Sequence, residues 1–77
     1  MEEKYRERIV VDRGIMVGKP VIKGTRLPVK IILEKLAFGA TEEEILEDYP
    51  FLSREDIKAA LYCAARVISM EEENVLA

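Results

Sequence analysis

The segment from Gly14 to Lys30 limits the possible folds of this 77-residue chain more than any other part of it. It contains three of the four glycines and two of the three prolines, a composition that excludes a helix through most of the segment. Gly18 and Gly24 are predicted at tight turns, where a residue without Cβ can adopt a positive φ. The short pieces between the turns are apolar and largely β-branched, which favours strands. Together with the residues just before the segment, they predict a small sheet with strands at 8–11, 15–17 and 20–22.

The charges of the chain are unevenly distributed. Residues 1–35 carry nine cations and five acids, for a net charge of +4, whereas residues 36–77 carry three cations and ten acids, for a net charge of −7. Such asymmetry indicates two partners of different character, although it would also serve solubility alone. The segment that excludes a helix contains no acid. The five cations in it or next to it are Arg13, Lys19, Lys23, Arg26 and Lys30.

Three helices are predicted over residues 28–70. Pro28 should begin the first helix, because a missing N–H costs nothing in a first turn, and Gly39 should end it. Thr41 and Glu44 match a capping box, which predicts the start of the second helix. The apolar stripe that the first helix should bury consists of Val29, Ile32, Leu33 and Leu36.

Pro50 should end the second helix, and Ser53 should cap the third. Phe51 and Leu52, which connect these two helices, are expected in the core. The buried stripe predicted for the third helix consists of Ile57, Ala60, Leu61, Ala64, Ala65 and Ile68. The opposite face would present Glu55, Lys58, Ala59, Tyr62 and Arg66.

The whole chain, residues 1–77, is expected to form one domain. Short strands and basic turns would occupy residues 8–26 and the three helices residues 28–70, followed by an acidic tail at 71–77. Residues 1–7 are polar and are expected to be frayed. A domain of this size buries only about 60% of its unfolded surface, so a homodimer or a complex with another protein is expected.

The composition argues against an enzyme. The chain has no histidine and one cysteine, so a metal site or a nucleophile–base pair is difficult to assemble and an internal disulfide is excluded. We therefore expect no catalytic residue, no metal and no cofactor. No apolar run reaches transmembrane length and no apolar stretch follows Met1, so a cytoplasmic protein without membrane contact is expected.

Three stretches of the sequence resemble the domain of unknown function 433 family. The most specific is Gly-Lys-Pro-Val-Ile-Lys-Gly-Thr-Arg-Leu-Pro-Val at 18–29, and the others lie at 36–45 and 49–61. The resemblance extends from about Arg8 to Ala65. It implies a mainly α fold: a trihelical homeodomain-like helix-turn-helix domain with a short N-terminal β-hairpin segment, an outline that the helix pattern also indicates. It further implies the antitoxin of a toxin–antitoxin pair, whose toxin has a nuclease-like (PIN-like) fold.

The leading hypothesis combines this resemblance with the charge distribution. It is an antitoxin that binds its cognate toxin and, as a homodimer, the double-stranded DNA of its own operon, and thereby regulates transcription. A stand-alone DNA-binding transcriptional regulator and a purely structural protein-interaction module are the alternatives. The sequence leaves open whether DNA or toxin contacts the third helix or the basic segment. The residues predicted to bind nucleic acid are Arg13, Lys19, Lys23, Arg26, Lys30, Ser53, Arg54 and Lys58.

Two of these predictions have structural alternatives. The third helix could place Ser53, Arg54 and Lys58 in the major groove, but Glu55 and Asp56 would repel phosphates, so this helix could instead pack within the protein or against a partner. The cations of the basic segment could contact phosphates, or they could be solvated on a rigid turn.

Arg26 has two possible roles of its own. Its guanidinium could fix the basic segment through paired hydrogen bonds to a carboxylate or to turn carbonyls, or it could contact a phosphate. Tyr62 and Arg66 are the predicted partner or dimer interface, because tyrosine and arginine are enriched where proteins meet. The N-terminal strands would contribute to the same dimer interface.

Overall fold

The computed structural model of the protein describes residues 2–11 and 18–76, and the side chains of residues 4–11 and 18–70. These ranges form four helices and one two-stranded antiparallel sheet. In chain order the elements are α1 (Glu2–Arg6), β1 (Ile9–Val11), β2 (Pro20–Ile22), α2 (Val29–Ala37), α3 (Glu42–Asp48) and α4 (Arg54–Leu76). The expected mainly helical architecture, with a short sheet ahead of the main helices, is confirmed.

Residues 2–6 were expected to be frayed, and this expectation was wrong because they form α1. The Lys4 Nζ lies 3.2 Å from Glu55 Oε2, and the ring centroids of Tyr5 and Tyr62 lie 6.0 Å apart. These two contacts hold α1 against α4, which a polar N-terminal sequence does not reveal by itself. The described part of the chain therefore has four helices, one more than predicted.

The sheet consists of β1 and β2 alone within the described residues. The Cα partners are Ile9 with Ile22, Val10 with Val21, and Val11 with Pro20. Proline is tolerated at the first position of a strand because its missing N–H removes no interior ladder bond. The strand predicted at 15–17 lies outside the described residues, as does Arg13.

A single core joins all elements from β2 to α4. The predicted α2 stripe is confirmed, since Val29 and Ile32 are buried and Leu33 and Leu36 pack against them partly buried. The buried residues of this core are Ile22, Val29, Ile32, Ile45, Leu52, Ile57 and Ala60.

The predicted stripe of α4 was partly wrong. Ala59, expected on the outer face, is fully buried, whereas Leu61 is 47% exposed and Ile68 is 54% exposed. The reason is that α1 and α2 both pack against the first half of α4, so the buried arc there is wider than one stripe and is shifted. Residues 65–70 are all exposed.

Phe51 was predicted to lie in the core, and this prediction was wrong: its side chain is 59% exposed. The connection between α3 and α4 is short and can turn only one of its two apolar side chains inward. Leu52 takes the buried position, with 7% exposure, and its neighbour is left outside.

The ends of α2 and α3 follow the sequence signals closely. Gly39 has a φ of 96° directly after α2, as a left-handed residue at a helix end should. The Thr41 hydroxyl accepts from the Glu44 N–H at 3.1 Å, and the Glu44 carboxylate accepts from the Thr41 N–H at 2.9 Å, which confirms the capping box. Pro28 was predicted to be the first residue of α2, but the helix begins one residue later and Pro28 precedes it.

Helix α4 continues for 23 residues to Leu76, through the positions that were expected to fray as an acidic tail. Glutamate is a good helix former, and this preference outweighs the few tenths of a kcal/mol by which acids oppose a helix dipole at its C-terminal end. None of the helices in the described part of the chain is long and apolar enough to span a membrane.

Candidate nucleic-acid and partner interfaces

The turn between β2 and α2 is fixed by hydrogen bonds around Thr25. Its hydroxyl donates to the Ile22 carbonyl at 2.7 Å and accepts from the Leu27 N–H at 3.0 Å, while the Ile22 N–H donates to the Leu27 carbonyl at 3.1 Å. Gly24 takes a φ of 80° within this turn, a conformation that side chains with a Cβ rarely adopt. Thr25 therefore holds the turn closed and leaves the side chain of Arg26 pointing into solvent.

Four of the predicted nucleic-acid-binding cations are exposed along the stretch from the start of β2 through the turn to the first turn of α2. Lys30 is 3.8 Å from Glu34, its neighbour one helical turn later. Among the described residues, the other three cations of this stretch form no ion pair, and Arg26 makes no paired hydrogen bond to a carboxylate or a turn carbonyl. We call this surface the basic edge, and its members are Lys19, Lys23, Arg26 and Lys30.

The N-terminal end of α4 is held by a buried carboxylate. Asp56 is 8% exposed; its Oδ2 accepts from the Ser53 N–H at 3.0 Å, and its Oδ1 lies 3.0 Å from the Arg8 Nη1. The Ser53 hydroxyl in turn accepts from the Asp56 N–H at 3.3 Å. The cap predicted at Ser53 is therefore confirmed, and both polar groups of this serine are used inside the protein.

Arg54 is held by two acids of α3. Its guanidinium lies 2.8 Å from Glu42 Oε1 and 3.0 Å from Glu43 Oε1. Hydrogen bonds to Glu43 and then Glu42 raise the pKa of Arg54. The pKa of Glu43 lies below its ordinary value, first through a hydrogen bond with its own backbone and then through the guanidinium. Ser53, Arg54 and Lys58 were predicted to bind nucleic acid. Of these, Lys58 is exposed and makes no ion pair within the described residues.

The second half of α4 carries an apolar surface. Val67 is 51% exposed, Ile68 54% and Met70 58%. Arg66 is exposed beside them, whereas Tyr62 is half-buried against Tyr5. We call Val67, Ile68 and Met70 the α4 apolar face.

Two shallow grooves flank this face. Ile9 of β1 lies along one groove, and Leu33 of α2 lies along the other. Cys63 lines both grooves, and its partial burial raises the pKa of the thiol, so this side chain acts as a small apolar group. The α4 apolar face is therefore continuous with apolar side chains of the sheet and of α2.

A separate cavity of about 460 Å³ lies where the turn after β2 meets the end of α3. Its aromatic wall is formed by Phe51 and Tyr49, whose ring centroids are 6.0 Å apart in an edge-to-face arrangement. Arg26 lines the same cavity. The proximity of these three residues was not predicted from the sequence, because it depends on how α3 packs against the turn and not on local spacing.

The described residues contain no group of three or more His, Cys, Asp and Glu side chains placed to hold a metal ion.

Comparisons with known proteins give a consistent pattern. The family model described as protein of unknown function (DUF433) matches residues 9–63. An uncharacterised protein of Sinorhizobium fredii, y4eO, is 38% identical over 61 residues, which are 78% of this chain and 28% of that protein. An uncharacterised protein of Archaeoglobus fulgidus is 78% identical over 23 residues, which are 30% of this chain and 64% of that protein. The chain thus spans less than two thirds of the length of either relative.

A solved structure has a similar fold. The crystal structure of a DUF433 member protein from Anabaena variabilis superposes with a TM-score of 0.77 and 25% sequence identity. The match covers 97% of this chain and 74% of that protein.

Proposed function

The chain belongs to the DUF433 family, and from this membership and from its two surfaces of opposite charge we propose that it is the antitoxin of a toxin–antitoxin pair. In this role it binds a cognate toxin of nuclease-like fold and the double-stranded DNA of its own operon. The observation that carries the proposal is the separation of charge. The basic edge contains no acid, whereas α3 carries five acids among its seven residues.

The basic edge is the proposed DNA-binding surface. Because the turn is already ordered, its cations can contact the phosphate backbone without a large loss of conformational entropy in the rest of the chain. The N-terminal end of α4 is less suited to this contact, because Arg54 is already neutralised by Glu42 and Glu43. We further propose that α2, α3 and α4 form a homeodomain-like helix-turn-helix in which α4 takes the place of the recognition helix, with Lys58 as its available cation.

The acidic surface of α3 is the proposed toxin-binding surface. A nuclease that cuts RNA needs a basic substrate-binding face, and an acidic helix is electrostatically complementary to it. An antitoxin that covers such a face would inhibit the nuclease by occupying the site of its substrate. The acids concerned are Glu42, Glu43, Glu44, Glu47 and Asp48, of whose five charges Arg54 and Lys35 offset two, so the surface stays negative.

Coexpression with the product of the neighbouring gene tests this proposal. We expect the two proteins to copurify. The nuclease activity that the partner shows in isolation should be inhibited in the complex. A charge-reversed variant, Glu47→Lys, should weaken copurification, while Glu7→Lys, an exposed position outside α3, serves as the control with the same change in charge.

Failure to copurify, together with a neighbouring gene that encodes no nuclease-like protein, would contradict the toxin-binding role. The exposed basic edge favours a second candidate, a stand-alone DNA-binding regulator. In that case the chain alone should bind its own promoter, and affinity should fall steeply with salt.

The α4 apolar face is the proposed homodimer interface, together with β1 and the exposed Arg66. Large apolar side chains exposed close together are unfavourable in water, and pairing of this part of α4 with its own copy is satisfied by two-fold symmetry. A stable interface covers about 800 Å² on each partner, so the grooves beside β1 and α2 would be covered as well.

Val67→Glu is expected to convert the dimer to a monomer, since each copy would place a carboxylate in the centre of the interface. Light scattering at micromolar concentration measures this mass directly. Leu61→Glu is the matched control, because Leu61 is exposed on the same helix and lines neither groove. A wild-type protein with monomer mass would contradict the proposed dimer.

A further inference from the structure

The cavity at the end of α3 combines three features. Phe51 presents a ring that is 59% exposed, Tyr49 supports this ring edge to face, and Arg26 extends beside both. The volume of about 460 Å³ lies within the range of roughly 300–1,000 Å³ that is typical of sites for small organic groups.

The cavity is firmly built. The hydrogen bonds of Thr25 fix the turn that carries Arg26. On the other wall, the Leu52 N–H donates to the Tyr49 carbonyl at 2.9 Å, which closes the backbone around Phe51. The ring of Tyr49 is also capped by Lys35, whose Nζ lies 5.6 Å from the ring centroid. A ligand would therefore meet an aromatic wall already in place and, beside it, an exposed guanidinium carried by a fixed turn.

Aromatic rings beside cations are the features by which proteins bind single-stranded nucleic acid. Bases stack on exposed rings, and cations follow the phosphates of the same strand. The cavity opens onto the basic edge, because Arg26 belongs to both, and Lys23 lies three residues before it on the same turn. No acid lines the cavity.

We propose that this cavity binds one unstacked base of a single-stranded nucleic acid, with the base on Phe51 and an adjacent phosphate on Arg26. This binding activity goes beyond the proposed antitoxin role, which concerns duplex DNA and a protein. A duplex does not offer the face of a base to a concave site, because its bases are stacked on each other. A short acidic peptide could pair with Arg26, but it would leave the neighbouring cations of the basic edge without a repeating anion.

The test uses the full chain and a short fluorescein-labelled single strand of mixed sequence, prepared as DNA and as RNA, together with the duplex of the same DNA. Fluorescence anisotropy at about 50 mM salt measures binding, because electrostatic contacts are strong there. We expect single strands to bind more tightly than the duplex. Phe51→Leu should weaken single-strand binding by about tenfold, the loss typical of one stacked base. Arg26→Gln should weaken it by a similar factor of about ten, through loss of one phosphate contact.

Two matched controls separate the cavity from general effects. Phe38→Leu removes a ring that is 90% exposed outside the cavity, and Lys4→Gln makes the same charge change as Arg26→Gln at an exposed position outside it. Each control should change affinity less than about twofold, since neither residue lines the cavity. Circular dichroism melting of every variant confirms that the fold is retained, as expected for exposed positions.

Three results of the binding assay would overturn the proposal. They are the absence of single-strand binding at low salt, equal losses in the cavity variants and the controls, and equal or tighter binding of the duplex. Loss of toxin copurification in the cavity variants with unchanged oligonucleotide binding would also overturn it and would assign the cavity to a protein partner. A tenfold loss seen with DNA alone or RNA alone supports the site and identifies the sugar that it accepts.

Discussion

Replacing Asp56 with alanine is expected to lower the free energy of unfolding by about 2–3 kcal/mol. The substitution removes the acceptor for the Ser53 N–H, a loss of about 1 kcal/mol for a helix cap. It also leaves Arg8 without its carboxylate, and breaking a fully buried pair would cost about 3–5 kcal/mol. Because the Arg8 side chain is 36% exposed, water replaces part of this interaction, and the total is reduced accordingly.

Urea unfolding followed by circular dichroism measures this change. Asp48→Ala is the matched control: Asp48 lies 3.4 Å from Lys35 but is 58% exposed, so its loss should cost less than about 1 kcal/mol. Asp56→Asn should fall between the two, because the amide oxygen can still accept from Ser53 but carries no charge for Arg8. Equal effects of Asp56→Ala and Asp48→Ala would show that the carboxylate does not hold β1 to α4.

Replacing Ile57 with alanine should destabilise the protein by about 2–5 kcal/mol, which approaches the whole stability of a domain of this size. Ile57 has no exposed surface and packs in the core beside Ile22, Ile32 and Ile45. The substitution leaves a cavity that a small domain with one core cannot fill by relaxation.

Thermal melting of Ile57→Ala against Leu61→Ala separates core packing from helix propensity. Leu61 lies one turn further along α4 but is 47% exposed, so its replacement should cost less than about 1 kcal/mol. The pair of variants also tests the corrected face of α4. Similar losses in the two variants would mean that α4 is rotated relative to the packing described above.

The features that the sequence predicted correctly depend on residues close together in the chain. The left-handed Gly39, the capping box of Thr41 and Glu44, and the α2 stripe each involve positions within about two helical turns. Local spacing determines these features because the same few backbone dihedrals and side chains make them.

The features that the sequence did not predict depend on distant residues. Arg8 and Asp56 are 48 positions apart, and no local sequence pattern around either residue indicates the other as its partner. The spacing of Ser53 and Asp56 does match a capping box with aspartate in place of glutamate, so this half of the contact was accessible. That Asp56 is also buried could not be predicted, because its burial requires the packing of β1 and α1 on α4.

The candidate surfaces were predictable to different degrees. Exposure of the basic edge follows from its composition, since lysine and arginine are seldom buried. The pairing of Arg54 with Glu42 and Glu43 needs the arrangement of two helices, and the sequence alone suggested an available guanidinium. Phe51 shows the same limit, because one of two adjacent apolar residues had to face outward and spacing did not say which.

Helix α4 is about 34 Å long, and among its residues with described side chains the buried ones lie in the first half, whereas residues 65–70 are exposed. A helical segment of ten or so residues is marginal in water without such packing. The stability of residues 65–70 is therefore linked by mass action to whatever covers them, and it rises with the concentration of that partner. A partner that binds residues 65–70 would therefore stabilise this part of α4, whereas the first half of α4 is already stabilised by packing within one chain.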